Sequence, residues 1–195
     1  MSDIKAIIGL GNPGAQYTQT RHNAGFWLID ALAGRYHATL RSERKLLGHY
    51  ARASIEGRDI HLLAPSTWMN HSGQSIGALA AFYKLPPESL LVVHDELDLA
   101  PGLARYKQGG GHGGHNGLRD TINALSQNKN FYRLRLGIGH PGSASQVVNY
   151  VLGAPGKSER QAIDEAIDAS LETLPLALAG DWARAMNQLH SFSAA

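Results

Sequence analysis

Apolar and polar positions follow two different periodicities along the chain, and the changes between them predict the order of the strands and helices. Continuous apolar runs and residue-by-residue alternation, bounded by Gly, Pro, Asn and Asp, indicate strands. The predicted strands are Ile4–Leu10, Tyr50–Ile55, Asp59–Ala64, Leu90–Val93, Leu103–Lys107 and Tyr132–Gly139. The residues Glu56-Gly57-Arg58 separate the second and third of these, which predicts a hairpin at that point.

Apolar residues three and four apart predict the helices between and after these strands. The helices are predicted to start near Asn23, cover Ser72–Leu85, start near Asn116, start at Ser158, and cover Trp182–His190. Asn23 is expected to cap the first helix, and Pro86-Pro87 to end the second. Ser158 and Gln161 have the spacing of a capping box. Pro175 is expected to kink or end the helix that Ser158 begins.

Strands and helices alternate along most of the chain, but the hairpin interrupts the alternation. This order favours an α/β fold in which helices flank a twisted mixed β-sheet, with a helical segment at the C-terminal end. No internal repeat and no linker divides the sequence, so residues 1–195 are predicted to form a single domain. A hydrophobic fraction of 43% with only 17% charged residues is typical of a globular protein.

The composition excludes some classes of chemistry and permits others. The chain has no cysteine, which excludes disulfides, thiolate metal sites and a cysteine nucleophile, and which fits a cytoplasmic protein. No apolar stretch is long enough to span a membrane, and residues 1–5 lack the features of a signal peptide. The net charge of +2 permits nucleic-acid binding if the basic side chains lie on one face.

Three short motifs suggest chemistry that their surroundings support only weakly. Gly9-Leu-Gly-Asn-Pro-Gly14 matches the dinucleotide fingerprint, but no helical pattern follows it directly, which favours a tight turn. Gly73-Gln-Ser-Ile-Gly77 matches the nucleophile elbow, but Ser75 falls inside a predicted helix. His112-Gly-Gly-His115 could bind zinc with nearby carboxylates, but its glycines predict a mobile loop. A small-ester serine hydrolase using Ser75 stays open as an alternative.

A fourth group of polar residues lies where the topology can gather it. Asn12 follows the first strand and Asp95 follows the central apolar strand, and ligands of open α/β sheets bind beyond such strand ends. His22 lies in the loop after the first strand, and Met69-Asn70 and His115-Asn116 precede helices. One cleft could therefore collect all of these side chains.

These residue types suit the hydrolysis of an ester by water. A neutral imidazole such as that of His22 can take a proton from water at physiological pH. A carboxylate behind the imidazole fixes its tautomer, and carboxamides can donate to the developing oxyanion without repelling phosphates. The alternatives are that Asn23, Asn70 and Asn116 cap helices, that His22 has a structural role, and that Asp95 is only an acidic residue of a turn.

The same residues belong to longer motifs that resemble those of bacterial peptidyl-tRNA hydrolases, nearly from end to end. The motifs are Gly9-Leu-Gly-Asn-Pro-Gly14, Thr20-Arg-His-Asn-Ala-Gly25, Pro65-Ser-Thr-Trp-Met-Asn-His-Ser-Gly73, His94-Asp-Glu-Leu-Asp98, Gly109-Gly-Gly-His-Gly-Gly-His-Asn-Gly-Leu118 and Arg133-Leu-Arg-Leu-Gly-Ile-Gly-His-Pro141. Trp68 and Ala100 stand where the resemblance suggests a smaller aromatic residue and a proline, and the segment after Gly153 matches only loosely.

The resemblance implies an enzyme that hydrolyses the ester bond between a peptide and the 3′ end of tRNA. It implies a cytoplasmic monomer that needs no metal and no cofactor. The implied catalytic residues are His22 as general base, Asp95 as the acid that orients it, and Asn12. The implied substrate-binding residues are Tyr17 at the tRNA 3′ end, Met69, Asn70, His115 and Asn116. A tRNA-binding module without catalysis stays open as a second alternative.

Basic residues on two predicted strands suggest where tRNA binds. Alternation along a strand puts Arg105 and Lys107 on one face, and likewise Arg133 and Arg135. The resemblance implies that Lys107 and Arg135 clamp the tRNA 5′-phosphate, with the other two arginines beside them. The basic run at residues 41–45 is interpreted as an ordinary solvated face.

Overall fold

The computed structural model describes residues 3–194, and one seven-stranded mixed sheet runs through them. The strands are β1 (Ala6–Gly9), β2 (Arg41–Glu43), β3 (Gly48–Ile55), β4 (Arg58–Pro65), β5 (Leu90–Glu96), β6 (Ala104–Gln108) and β7 (Tyr132–Gly137). Their order across the sheet is β2-β3-β4-β1-β5-β7-β6. Strands β4, β1, β5 and β7 are parallel, whereas β2, β3 and β6 pair antiparallel with their neighbours. Met1, Ser2 and Ala195, at the ends of the predicted domain, lie outside the described residues.

Helices cover both faces of this sheet. They are α1 (Ala24–Arg35), α2 (Ser72–Tyr83), α3 (Asn116–Ala124), α4 (Val147–Val151), α5 (Lys157–Leu178) and α6 (Trp182–His190). Successive strand residues point to opposite faces, so Ile7 packs in the core with α1 and α5 while Ile8 packs in the core with α2 and α3. Within residues 3–194, no helix combines the length and the apolar composition needed to cross a membrane.

The α/β class with a mixed sheet and flanking helices is confirmed, and so is the hairpin, whose strands β3 and β4 pair along their whole length. The end of α2 was predicted wrongly. The helix stops at Tyr83 because Lys84 takes a left-handed conformation with φ of 55°, before the two prolines are reached. Strand β2 and helix α4 were not predicted, because each is too short to show a periodic pattern.

The start of the long C-terminal helix also differs from its prediction. Helix α5 begins at Lys157, and the Glu159 side chain accepts a hydrogen bond from the Gly156 N–H at 3.2 Å. The pair Ser158 and Gln161 is therefore not the capping pair. Pro175 lies inside the helix, which continues to Leu178, so the proline does not end it.

Close packing of β1 against α1 explains the first glycine-rich motif. A Cβ atom on Gly9 would lie 2.3 Å from the Gly25 carbonyl oxygen, and one on Gly11 would lie 2.6 Å from the Phe26 ring. A 3-10 turn at Ala15–Tyr17, rather than a nucleotide-binding helix, follows the motif. These glycines let α1 lie directly on β1, and the loop between the two elements then crosses the carboxyl end of the sheet.

Candidate active site

A cleft of about 780 Å³ opens beyond the carboxyl ends of the parallel strands. Its lining includes these predicted site residues: Asn12, His22, Met69, Asn70, Asp95, Lys107, His115, Asn116, Arg133 and Arg135. Tyr17 and Arg105 lie outside this lining. The Tyr17 ring instead packs edge-on against Trp68, which does line the cleft, with the ring centres 5.7 Å apart.

His22 and Asp95 form a hydrogen-bonded pair in the lining of the cleft. His22 Nδ1 lies 2.8 Å from Asp95 Oδ2, and the Asp95 side chain is only 2% exposed. A carboxylate can only accept, so Nδ1 must carry the proton. In the neutral ring this leaves Nε2 as a bare nitrogen, and no group within residues 3–194 donates to it. A neutral imidazole held in this way is suited to accept a proton from water.

His115 uses both of its ring nitrogens inside the protein. Nε2 lies 2.8 Å from Asp95 Oδ1, and Nδ1 accepts a hydrogen bond from the Leu118 N–H at 3.3 Å, which caps α3. His115 is therefore neutral with its proton on Nε2. The predicted substrate contact through this ring has no free nitrogen to make it, because His115 instead holds the carboxylate that faces His22.

Charge and burial act in opposite directions on the central pair. Burial lowers the pKa of His22, but the Asp95 carboxylate raises it by more, so the pKa lies above its ordinary value of 6.5. Burial raises the pKa of Asp95, but its hydrogen bonds to His22 and His115, and the attraction of either ring when it is protonated, lower the pKa well below its usual range. Asp95 therefore stays ionised at any pH at which the protein would work.

His94 is the third imidazole in this cluster, and it is neutral. Burial, together with the repulsion that a protonated His115 would add, lowers the pKa of His94 to about 3. Its Nδ1–H donates to the Asp95 backbone oxygen at 2.8 Å. His94 thus steadies the strand end that presents the carboxylate without adding charge to the cleft.

The Asn12 carboxamide is held in a fixed orientation. Its Oδ1 accepts a hydrogen bond from the Met69 N–H at 2.7 Å, which leaves the Nδ2 amide to face the cleft. The sequence suggested that Asn23 caps α1, but its side chain makes no capping hydrogen bond. The Asn23 Oδ1 accepts a hydrogen bond from the Asn12 backbone N–H at 2.8 Å, and the Asn23 Nδ2 donates to the Asn12 backbone carbonyl oxygen at 3.0 Å. Asn23 therefore fixes the backbone on which Asn12 sits.

Asn70 and Asn116 are exposed residues on the wall of the cleft, and neither has the capping role that was the alternative for them. His71 occupies the capping position of α2 and His115 that of α3, so both asparagines lie one residue away from it. Their carboxamides are free to meet a ligand in the cleft.

Ser75 is not placed as a nucleophile. The residue is fully buried within α2, and its hydroxyl donates to the Leu46 carbonyl oxygen at 2.6 Å. It does not line the cleft, so the interpretation of Gly73–Gly77 as a nucleophile elbow is wrong. The hydroxyl instead fastens α2 to the turn before β3.

Three of the four basic residues of β6 and β7 line the cleft, and Arg105 does not. Lys107 pairs in register with Arg133, and Arg105 pairs with Arg135. Arg133 is 2% exposed and its guanidinium donates to the Gly110 and Gly111 carbonyl oxygens. Arg133 thus holds the glycine-rich loop and is not available to bind a phosphate, whereas Lys107 and Arg135 are accessible.

Comparison with known proteins gives the family. The sequence pattern of the peptidyl-tRNA hydrolase family matches residues 6–195. The chain belongs to the peptidyl-tRNA hydrolase family. The peptidyl-tRNA hydrolase of Chromohalobacter salexigens is 66% identical over 194 residues and that of Tolumonas auensis 55% over 191, with 97% or more of each chain covered. The crystal structure of peptidyl-tRNA hydrolase from Acinetobacter baumannii superposes with a TM-score of 0.96 at 50% identity, covering 100% of this chain and 98% of that one.

Membership in the peptidyl-tRNA hydrolase family confirms the resemblance inferred from the motifs.

The same central group has the donor types of a metal site. One ligand atom from each of His22, Asp95 and His115 lies within 4.8 Å of the others. Histidine and carboxylate donors can bind zinc. Here both imidazoles already donate to the carboxylate, and the second nitrogen of His115 caps α3. Only His22 Nε2 is left without a hydrogen bond, so a metal ion held by all three residues would have to break the others.

Proposed function

We propose that this protein hydrolyses the ester bond between the peptide and the 3′ end of tRNA in peptidyl-tRNA, and that water is the nucleophile. The observation that carries the proposal is the His22–Asp95 pair, whose bare Nε2 faces a cleft lined by three asparagines. The peptidyl-tRNA hydrolases to which the chain is similar supply the substrate class.

His22 acts in both halves of the proposed reaction. Its Nε2 takes a proton from water as the oxygen attacks the ester carbonyl, and Asp95 stabilises the imidazolium that forms. The tetrahedral intermediate then collapses with cleavage of the bond between the acyl carbon and the ribose oxygen. The imidazolium returns its proton to that oxygen, which leaves as the free 3′ end of tRNA. The products are the free peptide and uncharged tRNA.

The asparagines supply donors where negative charge develops. The Asn12 amide is fixed by the Met69 N–H, so it can donate to the oxyanion without rearrangement. Asn70 and Asn116 lie on the same cleft and are placed to bind the peptide backbone. All three are neutral, so they add no repulsion toward the tRNA phosphates.

Apolar side chains form the rest of the peptide-binding wall. Val148 is 65% exposed and Trp68 50%, and both line the cleft together with Met69 and Leu152. Exposed apolar groups gathered at one cleft are typical of a binding surface. We propose that Val148, Met69 and Leu152 contact the peptide, and that Tyr17 and the Trp68 ring it packs against contact the tRNA 3′ end.

Lys107 and Arg135 are proposed to bind the tRNA 5′-phosphate, with Arg105 beside them. We expect Lys107→Ala combined with Arg135→Ala to weaken tRNA binding and to flatten its salt dependence, because each lost phosphate contact removes a released counterion. The measurement is the tRNA dissociation constant at several salt concentrations. A matched control is Arg41→Ala with Arg44→Ala, two exposed arginines outside the cleft. If the control variant changed the salt dependence of tRNA binding equally, Lys107 and Arg135 would not be the residues that bind the phosphate.

A single incubation tests the proposed activity. The purified protein is mixed with N-acetylated aminoacyl-tRNA, and we expect release of uncharged tRNA and free N-acetyl amino acid. Binding of the tRNA without release of product would instead support a binding module. Because Ser75 is buried, a serine-directed phosphonate should leave both the protein and its activity unchanged.

Metal ions are expected to inhibit this reaction. A zinc ion on the bare His22 Nε2 would block the base itself, and one on Nδ1 beside Asp95 and His115 would move the ring proton to Nε2. We expect EDTA to leave the hydrolysis rate unchanged and added Zn²⁺ to lower it. In His115→Asn, which lacks one of the three ligands, Zn²⁺ should lower the rate by a smaller factor, measured against the rate of that variant without metal. A rate that falls in EDTA and returns with zinc would contradict this prediction.

We also propose that the protein acts as a monomer in the cytoplasm. The resemblance of the sequence motifs implies a monomer, and the proposed substrate is a product of cytoplasmic translation. Light scattering at working concentration tests the first point, since a stable dimer would give twice the mass of 21.0 kDa.

A further inference from the structure

Arg21 precedes the proposed base directly in sequence, and the proposed reaction does not use it. Its side chain is only 12% exposed, which is unusual for an arginine beside an open cleft. Its backbone N–H donates to the Gly153 oxygen at 3.0 Å, and so ties the loop that carries His22 to the segment after α4. The burial of Arg21 therefore has to be explained by what its side chain holds.

The guanidinium of Arg21 binds to Tyr150, in the last turn of α4, by a ring contact and a hydrogen bond. Its Cζ lies 3.9 Å from the centre of the Tyr150 ring, and Nη1 donates to the Tyr150 carbonyl oxygen at 3.0 Å. Nη2 lies 3.5 Å from Glu159 Oε1, which also accepts a hydrogen bond from the backbone N–H of Gly156, just before α5. On its other side, the Tyr150 hydroxyl donates to the Ile138 oxygen at 2.6 Å. Tyr150 is thus held between the His22 loop and the end of β7.

Helix α4 depends on such contacts for its position. It has five residues, too few to be stable alone. Its residues Val147, Val148 and Val151 line the cleft, and Val148 is largely exposed to it. Whatever fixes Tyr150 therefore also fixes where this apolar wall stands relative to His22.

We propose that Arg21 is a positioning residue that sets the distance between the apolar wall on α4 and the general base on the neighbouring residue. The inference rests on the proposed function, because it assumes that the cleft binds the peptide. A peptide long enough to reach Val148 would be held with its ester carbonyl at His22 only while α4 is fixed. A substrate with one blocked amino acid does not extend along that wall and depends on it less.

The chemistry of the contact calls for arginine. The planar guanidinium stacks on the Tyr150 ring while its two terminal nitrogens reach different oxygens, whereas a lysine ammonium is a point charge without that fork. Arg21→Lys should therefore keep the charge and only part of the function.

The test compares two substrates in one variant. The substrates are N-acetylated aminoacyl-tRNA and a peptidyl-tRNA that carries several apolar residues. In Arg21→Met we expect kcat/KM for the peptidyl substrate to fall about tenfold or more, mainly through KM, and that for the short substrate to fall less than about threefold. The pH dependence of kcat/KM for the short substrate should not change. In Arg21→Lys, kcat/KM for the peptidyl substrate should lie between the values of Arg21→Met and of the original protein.

Arg160→Met is the matched control. Its guanidinium stacks on the Trp27 ring at 3.6 Å and donates to Gln19 at 2.7 Å, so it also fastens the His22 loop, but it does not grip Tyr150. We expect this control to keep the original ratio between the two substrates. Hydrogen exchange of residues 144–152 should rise in Arg21→Met and not in Arg160→Met.

The outcomes separate the inference from the proposed function. Equal losses on both substrates in Arg21→Met, or no loss with unchanged exchange, would overturn the positioning role. If Arg21→Met does not fold, Tyr150→Leu removes the other half of the contact and must give the same loss of preference for the longer peptide. Failure of the unchanged protein to hydrolyse either substrate would instead overturn the proposed function.

Discussion

His22→Ala is expected to lower kcat by roughly 10²- to 10⁴-fold, the usual contribution of a general base, while tRNA binding stays nearly unchanged. The reason is geometric, because Nε2 of His22 is the bare nitrogen that faces the cleft, whereas His115 is engaged at both nitrogens and His94 is buried. The His22 side chain is not one of the basic groups proposed to bind the tRNA phosphate, so its loss should remove chemistry and not affinity. Single-turnover hydrolysis and a binding titration measure the two quantities separately.

His71→Ala is the control for this experiment. His71 is an exposed histidine in the turn before α2 and does not line the cleft, so its loss should leave kcat unchanged. If His22→Ala kept more than a small fraction of the original rate, the base would have to be sought elsewhere. If both variants lost activity together, the effect would be one of folding.

Asp95→Asn is expected to cost roughly 10³- to 10⁴-fold in kcat, although the two side chains have almost the same shape. The introduced carboxamide can turn its NH₂ group toward the His22 ring and donate to Nδ1, which moves the ring proton to Nε2 and leaves no bare nitrogen in the cleft. An amide also cannot accept from both imidazoles and stabilise the imidazolium. The measurement is single-turnover hydrolysis of N-acetylated aminoacyl-tRNA.

Asp98→Asn separates this effect from a simple loss of negative charge. Asp98 is exposed and also lines the cleft, so its neutralisation changes the charge there without touching a tautomer. We expect a far smaller change of rate than in Asp95→Asn. Equal losses in the two variants would show that charge, and not the orientation of His22, controls the reaction.

The order of the elements could be predicted from sequence because β1 and β5 are buried on both faces and read as apolar runs. The placement of His22 and Asp95 in one cleft follows from the same reasoning, since Asp95 is at the carboxyl end of β5 and His22 lies in the loop after β1. Parallel neighbouring strands bring such positions together, whatever the distance along the chain.

The roles of individual polar side chains could not be predicted in the same way. Nothing in sequence spacing says that Arg133 turns toward the Gly110 and Gly111 oxygens or that both nitrogens of His115 are occupied. These depend on the path of the glycine-rich loop, whose glycines have no side chains to show a pattern. Arg21 was part of a predicted motif, but its partner Tyr150 is 129 residues away on a helix too short to predict.

The proposed hydrolysis requires His22 to be a neutral base with its proton on Nδ1. Because the Asp95 carboxylate raises the pKa of His22, the base is lost as the pH falls through a value above 6.5, and kcat/KM should fall with it. Nitrogen NMR of the labelled His22 ring, followed across pH beside the rate, tests this directly. We expect a protonated Nδ1 and a bare Nε2 at mildly alkaline pH, with Nε2 gaining its proton at the pH where kcat/KM declines. A proton already on Nε2 in the active enzyme, or a rate that declines at a different pH, would contradict the account.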